Sequence, residues 1–489
     1  MGGPGGMDRR RDEGRPLFFL IFFPHRVGEG NQAMDFFFNP KTVAVVGASA
    51  TPGKISNVII RSLKDSGFAG TVYPVNPKHD SVEGLRCYPS LAEVDSEIDV
   101  CVFAVPAQLV PGIIEGSGGK VRGAIIISGG FKETGEEGRG LEGELHELVK
   151  KEGVRIIGPN CMGIYDTVSR LDTFFIPPDR MKRPGPGGLS IISQSGSFAV
   201  TAIDELAAEG IGVARVVSYG NMIDVNESDC LEFLSGDDST RAVAIYMESV
   251  SDGRRFVEAA SRCSKAKPVT AIKVGKTPEA AAAARSHTGA MAGHYEVYRA
   301  ALRKAGVLEL DGYEDFISAC KVFGSAPATK GERGGRRVMI ITDGGGMGVG
   351  IADRCSALGL EVPPLSDEVK EDIRWAFPPY CSMANPMDLT GSATDELFGR
   401  ALESTMTGDY YDIAIVAALW GPPALTDDLA GVLAQRARII DKPVLLCSPG
   451  GEFTRSKFAL FRASGLPVFP SPDEAARAAA LIWRRRELS

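Results

Sequence analysis

The chain has no Cys-x-x-Cys pair; its nine cysteines are scattered singly along 489 residues. Several sit in apolar, strand-like text, such as Cys101 within 100–104. This argues against a zinc site or a disulfide framework. It fits buried thiols in a reducing, cytoplasmic compartment. No apolar run reaches the roughly 18 residues that cross a bilayer. Residues 17–23 are apolar but short, and no small-residue cleavage site follows, so no secretory signal is expected. There is no basic excess either: 62 acidic against 54 basic residues give a net charge of −8. Two short basic runs, 9–11 and 484–486, read as solvated ends. Neither a nucleic-acid partner nor a membrane is expected. Histidine is rare, at five residues.

What is present is ordinary globular composition, 44% hydrophobic and 24% charged. At roughly 150 residues per domain, the length suggests about three domains. Three blocks repeat one grammar of apolar strand, Gly-rich turn and amphipathic helix. The first opens with Thr42-Val-Ala-Val-Val46 and Gly47-Ala-Ser-Ala-Thr-Pro-Gly53. The second opens with Gly188-Leu-Ser-Ile-Ile192 and Ser193-Gln-Ser-Gly-Ser197. The third opens with Val338-Met-Ile-Ile341 and Thr342-Asp-Gly-Gly-Gly-Met-Gly348. Further strands are expected at 71–75, 100–105, 124–128, 243–247, 269–274, 413–417 and 444–447. Continuous apolar strands alternating with helices indicate parallel sheets covered on both faces. The expected fold is therefore α/β with three doubly wound domains, 34–178, 186–326 and 336–485. Linkers rich in Pro or Gly fall at 177–188 and 326–337. Residues 1–33 are expected to be an extension, disordered or upstream of the native start, because convincing folded text opens at Met34-Asp35-Phe36.

Each glycine turn gathers backbone N–H groups at a helix N-terminus, where the helix dipole favours an anion. Three such turns at equivalent places point to phosphorylated ligands at the carboxyl ends of the strands. The first, Gly47-x-Ser-x-x-x-Gly53, is one residue longer than a dinucleotide fingerprint. An NAD site also wants an acid after the second strand; here Asn76-Pro77-Lys78 follows. Lys78 suits a phosphorylated ribose or a pyrophosphate better. Gly53-Lys54 hints at a P-loop, but Ile55 stands where a magnesium-binding Ser or Thr belongs.

Among the histidines, His287 has the distinctive setting, Arg285-Ser-His-Thr-Gly-Ala-Met-Ala-Gly293. It follows the alanines 280–284 and is expected to open or precede a helix. Small neighbours leave room for a group added to the ring. A neutral imidazole is a capable nucleophile when a carboxylate orients its other nitrogen. Glu248, after the strand at 243–247, is the candidate carboxylate.

From Met34 to its end the sequence resembles the alpha subunit of ADP-forming acyl-CoA synthetases, of the archaeal acetyl-CoA synthetase type, in the succinyl-CoA synthetase superfamily. The resemblance rests on Val45-Val-Gly-Ala-Ser49, Pro74-Val-Asn-Pro-Lys78, Ser128-Gly-Gly-Phe131, Gly158-Pro-Asn160, Ser193-Gln-Ser-Gly-Ser197, Tyr219-Gly-Asn221, Ser286-His-Thr-Gly289, Thr342-Asp-Gly-Gly-Gly346 and Asn385-Pro-Met-Asp388. It implies a Rossmann-like CoA-binding domain followed by two flavodoxin-like domains, the phosphohistidine domain and the ligase domain. His287 is then the phosphorylated residue and Glu248 the carboxylate that orients it. Ser195, Gly196 and Ser197, with Gly344, Gly345 and Gly346, are the expected phosphate-binding turns. CoA is expected along Gly47, Ser49, Thr51, Lys78, Val105, Pro106, Ser128 and Gly129. No metal is expected on this chain. The three domains leave no room for the family's ATP-grasp domain, which implies ATP or ADP and Mg2+ on a separate beta subunit, as α2β2. Small acids and acyl-CoA are the implied substrates. Alternatives that stay open are succinate or another acid, a non-catalytic CoA-binding regulator, and a nicotinamide oxidoreductase.

Overall fold

Four of the five residues of β1 (Thr42–Val46) are β-branched, and all but the first are buried. Such a strand fits the middle of a sheet covered on both faces. In this computed structural model β1 pairs in parallel with β2 (Thr71–Val75) and β3 (Ile98–Phe103). With β4 (Val121–Ile126) and β5 (Arg155–Ile157) the sheet order is β2-β1-β3-β4-β5. The residues described are 32–288, 294–325 and 335–488, without the side chains of 32–33 and 284–288.

The second sheet comprises β6 (Gly163–Asp166), β7 (Leu171–Asp172), β8 (Pro186–Ser193), β9 (Val213–Ser218), β10 (Ala242–Met247), β11 (Val269–Lys273) and β12 (Leu308–Leu310). Its order is β12-β11-β10-β8-β9-β6-β7, parallel except that β6 runs antiparallel to both β9 and β7. The third comprises β13 (Val338–Thr342), β14 (Met387–Asp388), β15 (Ile413–Ala417), β16 (Val444–Cys447) and β17 (Val468–Phe469), ordered β14-β13-β15-β16-β17 and all parallel. The α/β class and the three parallel sheets agree with the sequence reading.

One boundary differs. Residues 163–172 were expected in the first domain, yet β6 pairs with β9 of the second sheet. Buried charge explains the attachment. The Asp166 carboxylate pairs with the Arg215 guanidinium of β9, which also holds Asp237 at 3.0 Å. Asp172 of β7 pairs at 2.8 Å with Arg183, from the expected linker at 177–188. That segment is therefore tied down rather than free. Residues 326–334 of the other expected linker, and 1–31 of the expected N-terminal extension, lie outside the described residues.

The three domains share cores. The helix Gln32–Phe38 places Phe37 and Phe38 in one cluster with Ile125 of the first domain and Val217 and Cys230 of the second. Phe38 stacks on Phe233 with ring centroids 4.3 Å apart. The helix Pro472–Arg486 buries Ala475, Ala476, Ala478 and Ala479 against the helices Tyr313–Gly324 and Gly345–Ala357. Small side chains on that face let three helices approach closely. At the same seam the Lys321 ammonium is buried against Glu209 at 2.7 Å and Glu474 at 3.5 Å. All nine cysteines are free and buried. Among the described residues no helix is long and apolar enough to cross a membrane.

Candidate active site

The order β2-β1-β3 reverses direction between β1 and β3, so the loops after these strands part and leave a crevice. Gly47 opens the loop after β1 at φ +83°, and a Cβ there would stand 2.6 Å from Ala104 O. Only glycine lets the two loops approach that closely. Asn76 joins the next loop: its side-chain N–H donates to Ala48 O at 2.7 Å, and its Oδ1 accepts the Lys78 N–H at 3.0 Å. Buried Asn57 donates to Ser49 O at 3.1 Å. Ser49 Oγ accepts the Thr51 N–H at 3.1 Å. The Ser128 hydroxyl donates to Val105 O. Of the expected CoA contacts, Thr51, Lys78, Pro106 and Gly129 are exposed, while Gly47, Ser49, Val105 and Ser128 are half-buried. They form an open rim at one edge of the first sheet.

A second cluster joins the first two domains. Glu133 accepts from Gly130 N at 2.7 Å and Phe131 N at 3.2 Å, and Asn221 of the second domain donates to it at 2.7 Å. Burial pulls the Glu133 carboxyl upward, but the Asn221 amide and the backbone N–H groups of Gly130, Glu133 and Phe131 outweigh it, leaving the pKa below the ordinary value. Lys132 donates to Asn221 O at 2.6 Å. Gly220 lies at φ +56°, where a Cβ would meet Pro159 O at 2.3 Å. The motifs Ser128-Gly-Gly-Phe131, Gly158-Pro-Asn160 and Tyr219-Gly-Asn221 therefore form one interdomain seam. The helix Pro278–Thr288 packs against the turn Lys132–Thr134 of this seam.

In the second domain Ser195 caps the helix Gly196–Ala208, its Oγ accepting the Phe198 N–H at 3.3 Å. Ser197 Oγ lies 3.1 Å from Ser195 Oγ. Gln194 bridges this turn to Glu248: its Oε1 accepts the N–H of Glu248 at 2.8 Å and of Ser249 at 3.0 Å. Glu248 is buried. Tyr246 is pushed up to about 12, first by burial and then by the Glu248 charge. His287 lies in the last turn of Pro278–Thr288, not at a helix start as expected, because Pro278 and the run of alanines carry the helix through it. Its side chain lies outside the described residues, as does Gly289.

The third turn, Gly344 to Gly346, is bounded by its own domain. Thr342 Oγ1 accepts the Gly344 N–H at 3.0 Å, and a Cβ on Gly345 would stand 2.6 Å from Asp388 Oδ2. Gly346 is exposed. Asp343, buried beneath, is pushed up to about 6 mainly by burial, with Asp388 adding repulsion and the Leu419 N–H opposing. Among the described residues no group of three or more His, Cys, Asp or Glu is arranged to hold a metal.

Three family models cover most of the chain: a CoA binding domain at residues 41–167, a succinyl-CoA ligase like flavodoxin domain at 186–323 and a Ligase-CoA domain at 338–480. The chain is 37% identical over 461 residues to the alpha subunit of acetate–CoA ligase (ADP-forming) I of Pyrococcus furiosus, covering 92% of this chain and 97% of that one. The chain belongs to the ADP-forming acetate–CoA ligase family. It is 38% identical over 457 residues to acetate–CoA ligase (ADP-forming) I of Archaeoglobus fulgidus, but spans only 64% of that longer relative. Acetyl-coenzyme A synthetase 1 of Candidatus Korarchaeum cryptofilum, solved with phosphate and ADP, superposes with a TM-score of 0.84 at 32% identity, covering 93% of this chain and 97% of that one.

Against this ligase fold, the sequence reading missed several polar residues around the sites. Asn57 braces the first crevice, Glu133 holds the seam and Lys273 stands across the strands from Met247, the residue before Glu248. Of these, Lys273 carried a signal: a single charge closing the apolar strand Val269-Thr-Ala-Ile-Lys273.

Proposed function

We propose that this chain is the alpha subunit of an ADP-forming acid–CoA ligase with acetyl-CoA as its acyl substrate. A phosphate oxygen attacks the thioester carbonyl carbon, the C–S bond breaks, and CoA leaves as thiolate. The acetyl phosphate so formed meets an imidazole nitrogen of His287. Nitrogen attacks phosphorus, the bridging P–O bond breaks, and acetate leaves with its electron pair. ADP then takes the phosphoryl group from His287 and becomes ATP. Glu248 accepts a hydrogen bond from the second ring nitrogen and holds the ring in the nucleophilic tautomer.

CoA lies along Gly47, Ser49, Thr51, Lys78, Val105, Pro106, Ser128 and Gly129, with the Lys78 ammonium facing its phosphates. The turns at Ser195–Gly196–Ser197 and Gly344–Gly345–Gly346 take the phosphoryl oxygens, each on backbone N–H groups at a helix N-terminus. Charge stabilisation of this kind carries most of phosphoryl transfer. ADP and Mg2+ sit on a separate beta chain with an ATP-grasp domain, in an α2β2 assembly in the cytoplasm.

The observation that carries this reading is the packing of Pro278–Thr288, the helix that contains His287, against Lys132–Thr134. That turn begins three residues after Gly129, which supports placing the phosphoryl acceptor near the CoA rim. The test is reconstitution. With its beta partner the chain is expected to convert acetyl-CoA, ADP and phosphate into acetate, CoA and ATP, and to lose this without the partner. A panel of acyl-CoAs in the same assay ranks acetyl against succinyl, aryl and branched acyl groups. Titration calorimetry that finds NAD binding and no CoA binding defeats the reading.

A further inference from the structure

A lysine ammonium is rarely taken out of water without a specific counter-charge. Lys273 closes β11 and is 1% exposed. Its Nζ donates to Val274 O and lies 4.5 Å from the centre of the Tyr298 ring. Strand register sets Met247 of β10 opposite Lys273, so Glu248 is the next residue beyond that pair. The Val274 N–H closes the register on Met247 O at 3.1 Å. Tyr298 grips both sides: its ring faces the Lys273 ammonium while its hydroxyl oxygen accepts the Val250 N–H at 3.4 Å. A Cβ on Gly275 would stand 3.8 Å from Lys273 Nζ and 3.6 Å from Ala281 Cα. The ammonium thus lies beneath the first turns of the helix that contains His287.

We infer that Lys273 is a positioning residue whose buried ammonium keeps the Glu248 carboxylate ionised and fixed for its work on His287. The inference rests on the ligase reading above and names a component which that reading lacks. A carboxylate that is to accept a hydrogen bond from imidazole must stay charged near neutral pH, and burial opposes this. A cation at the end of the neighbouring strand restores the balance. Among the described residues, the charged and titratable groups facing the pair are few. Burial lowers Lys273 from its ordinary value; the Glu248 charge opposes this, Lys276 on the same segment adds to it, and Glu309 on β12 opposes it. Tyr246 on β10 and Tyr219 after β9 feel the Glu248 charge and are themselves pushed up by burial. Tyr298 presents its ring face and hydroxyl.

The experiment uses the complete enzyme, this chain with its partner. Acetyl-CoA and radiolabelled phosphate are supplied, and the initial rate of protein labelling is followed from mildly acidic to mildly alkaline pH. In Lys273→Met the acid limb is expected to move about one pH unit alkaline, so labelling below it falls about tenfold and returns at higher pH. Lys273→Gln, which keeps a donor for Val274 O and loses only the charge, is expected to move the limb in the same way. Lys273→Arg keeps the charge and is expected to keep the wild-type limb. With Glu248→Gln already in place, Lys273→Met is expected to add little further loss. CoA binding by calorimetry, expected unchanged in all of them, reports that the chain is folded. Equal loss at every pH, an unmoved limb in both neutral variants, or a limb displaced in Lys273→Arg overturns the inference while leaving the ligase reading intact. Failure of the wild type to label at any pH overturns the ligase reading first.

Discussion

Glu227 is fully buried, and among the described residues neither of its carboxyl oxygens is hydrogen-bonded to another residue. Burial pushes it up to about 8, with Asp229 adding repulsion against the pull of its own backbone N–H and Arg255. The fold therefore prefers the protonated acid. Its contribution is fully present below the ordinary carboxylate range and is lost as pH rises through about 8. Glu227→Gln, which cannot ionise, is expected to gain stability over wild type progressively from the ordinary carboxylate range up to about pH 8, and to level off above it, in thermal melts. A constant difference across that range would show that Glu227 is already charged. Gly47 makes a second expectation. Gly47→Ala meets both a left-handed backbone and the Ala104 carbonyl, costing about 1–3 kcal/mol, and calorimetry is expected to show weakened CoA binding. At this scale, His287, Glu248 and Lys78 stand out from their neighbours in the sequence as candidates. Asn57 and Glu133 were not legible there, because what singles them out is burial and cross-loop hydrogen bonding, which no local pattern encodes.

Elements were legible in proportion to their apolar length. The strands around residues 43–46, 243–247, 413–417 and 444–447 are continuous apolar runs, and the structure has each of them. Arg155–Ile157, Leu308–Leu310 and Met387–Asp388 span two or three residues and leave no period to read. The hairpin Gly163–Asp166 with Leu171–Asp172 was not read as strands, and its residues fell inside the expected first domain, because its partner is chosen by Asp166 meeting Arg215 49 residues on. The helix at His287 was placed on the wrong side of it, since alanines continue a helix without marking its end. The capped turn at Ser195 carries a prediction of its own. Loss of the cap in Ser195→Ala is expected to cost about 1 kcal/mol. Loosening of the backbone N–H groups that the cap orders for phosphate is expected to raise the KM for phosphate about tenfold. A stability change without a KM change would make Ser195 a cap and nothing more.

Across the whole molecule, domains share cores instead of hanging on linkers. Phe38, fully buried, lies between the first and second domains and stacks on Phe233. Phe38→Ala is expected to cost about 3–4 kcal/mol, seen as a lowered midpoint in urea, and to loosen the seam where Glu133 meets Asn221. The alanine face of Pro472–Arg486 and the buried Lys321 lock the third domain to the second in the same manner. Such coupling fits a reaction whose phosphoryl group must pass between separately folded parts. The most direct test is to supply acetyl-CoA and radiolabelled phosphate to the complete enzyme, as wild type and as His287→Ala. The account predicts acid-labile, base-stable label on the wild-type chain and none on His287→Ala. Label that persists in His287→Ala would contradict it.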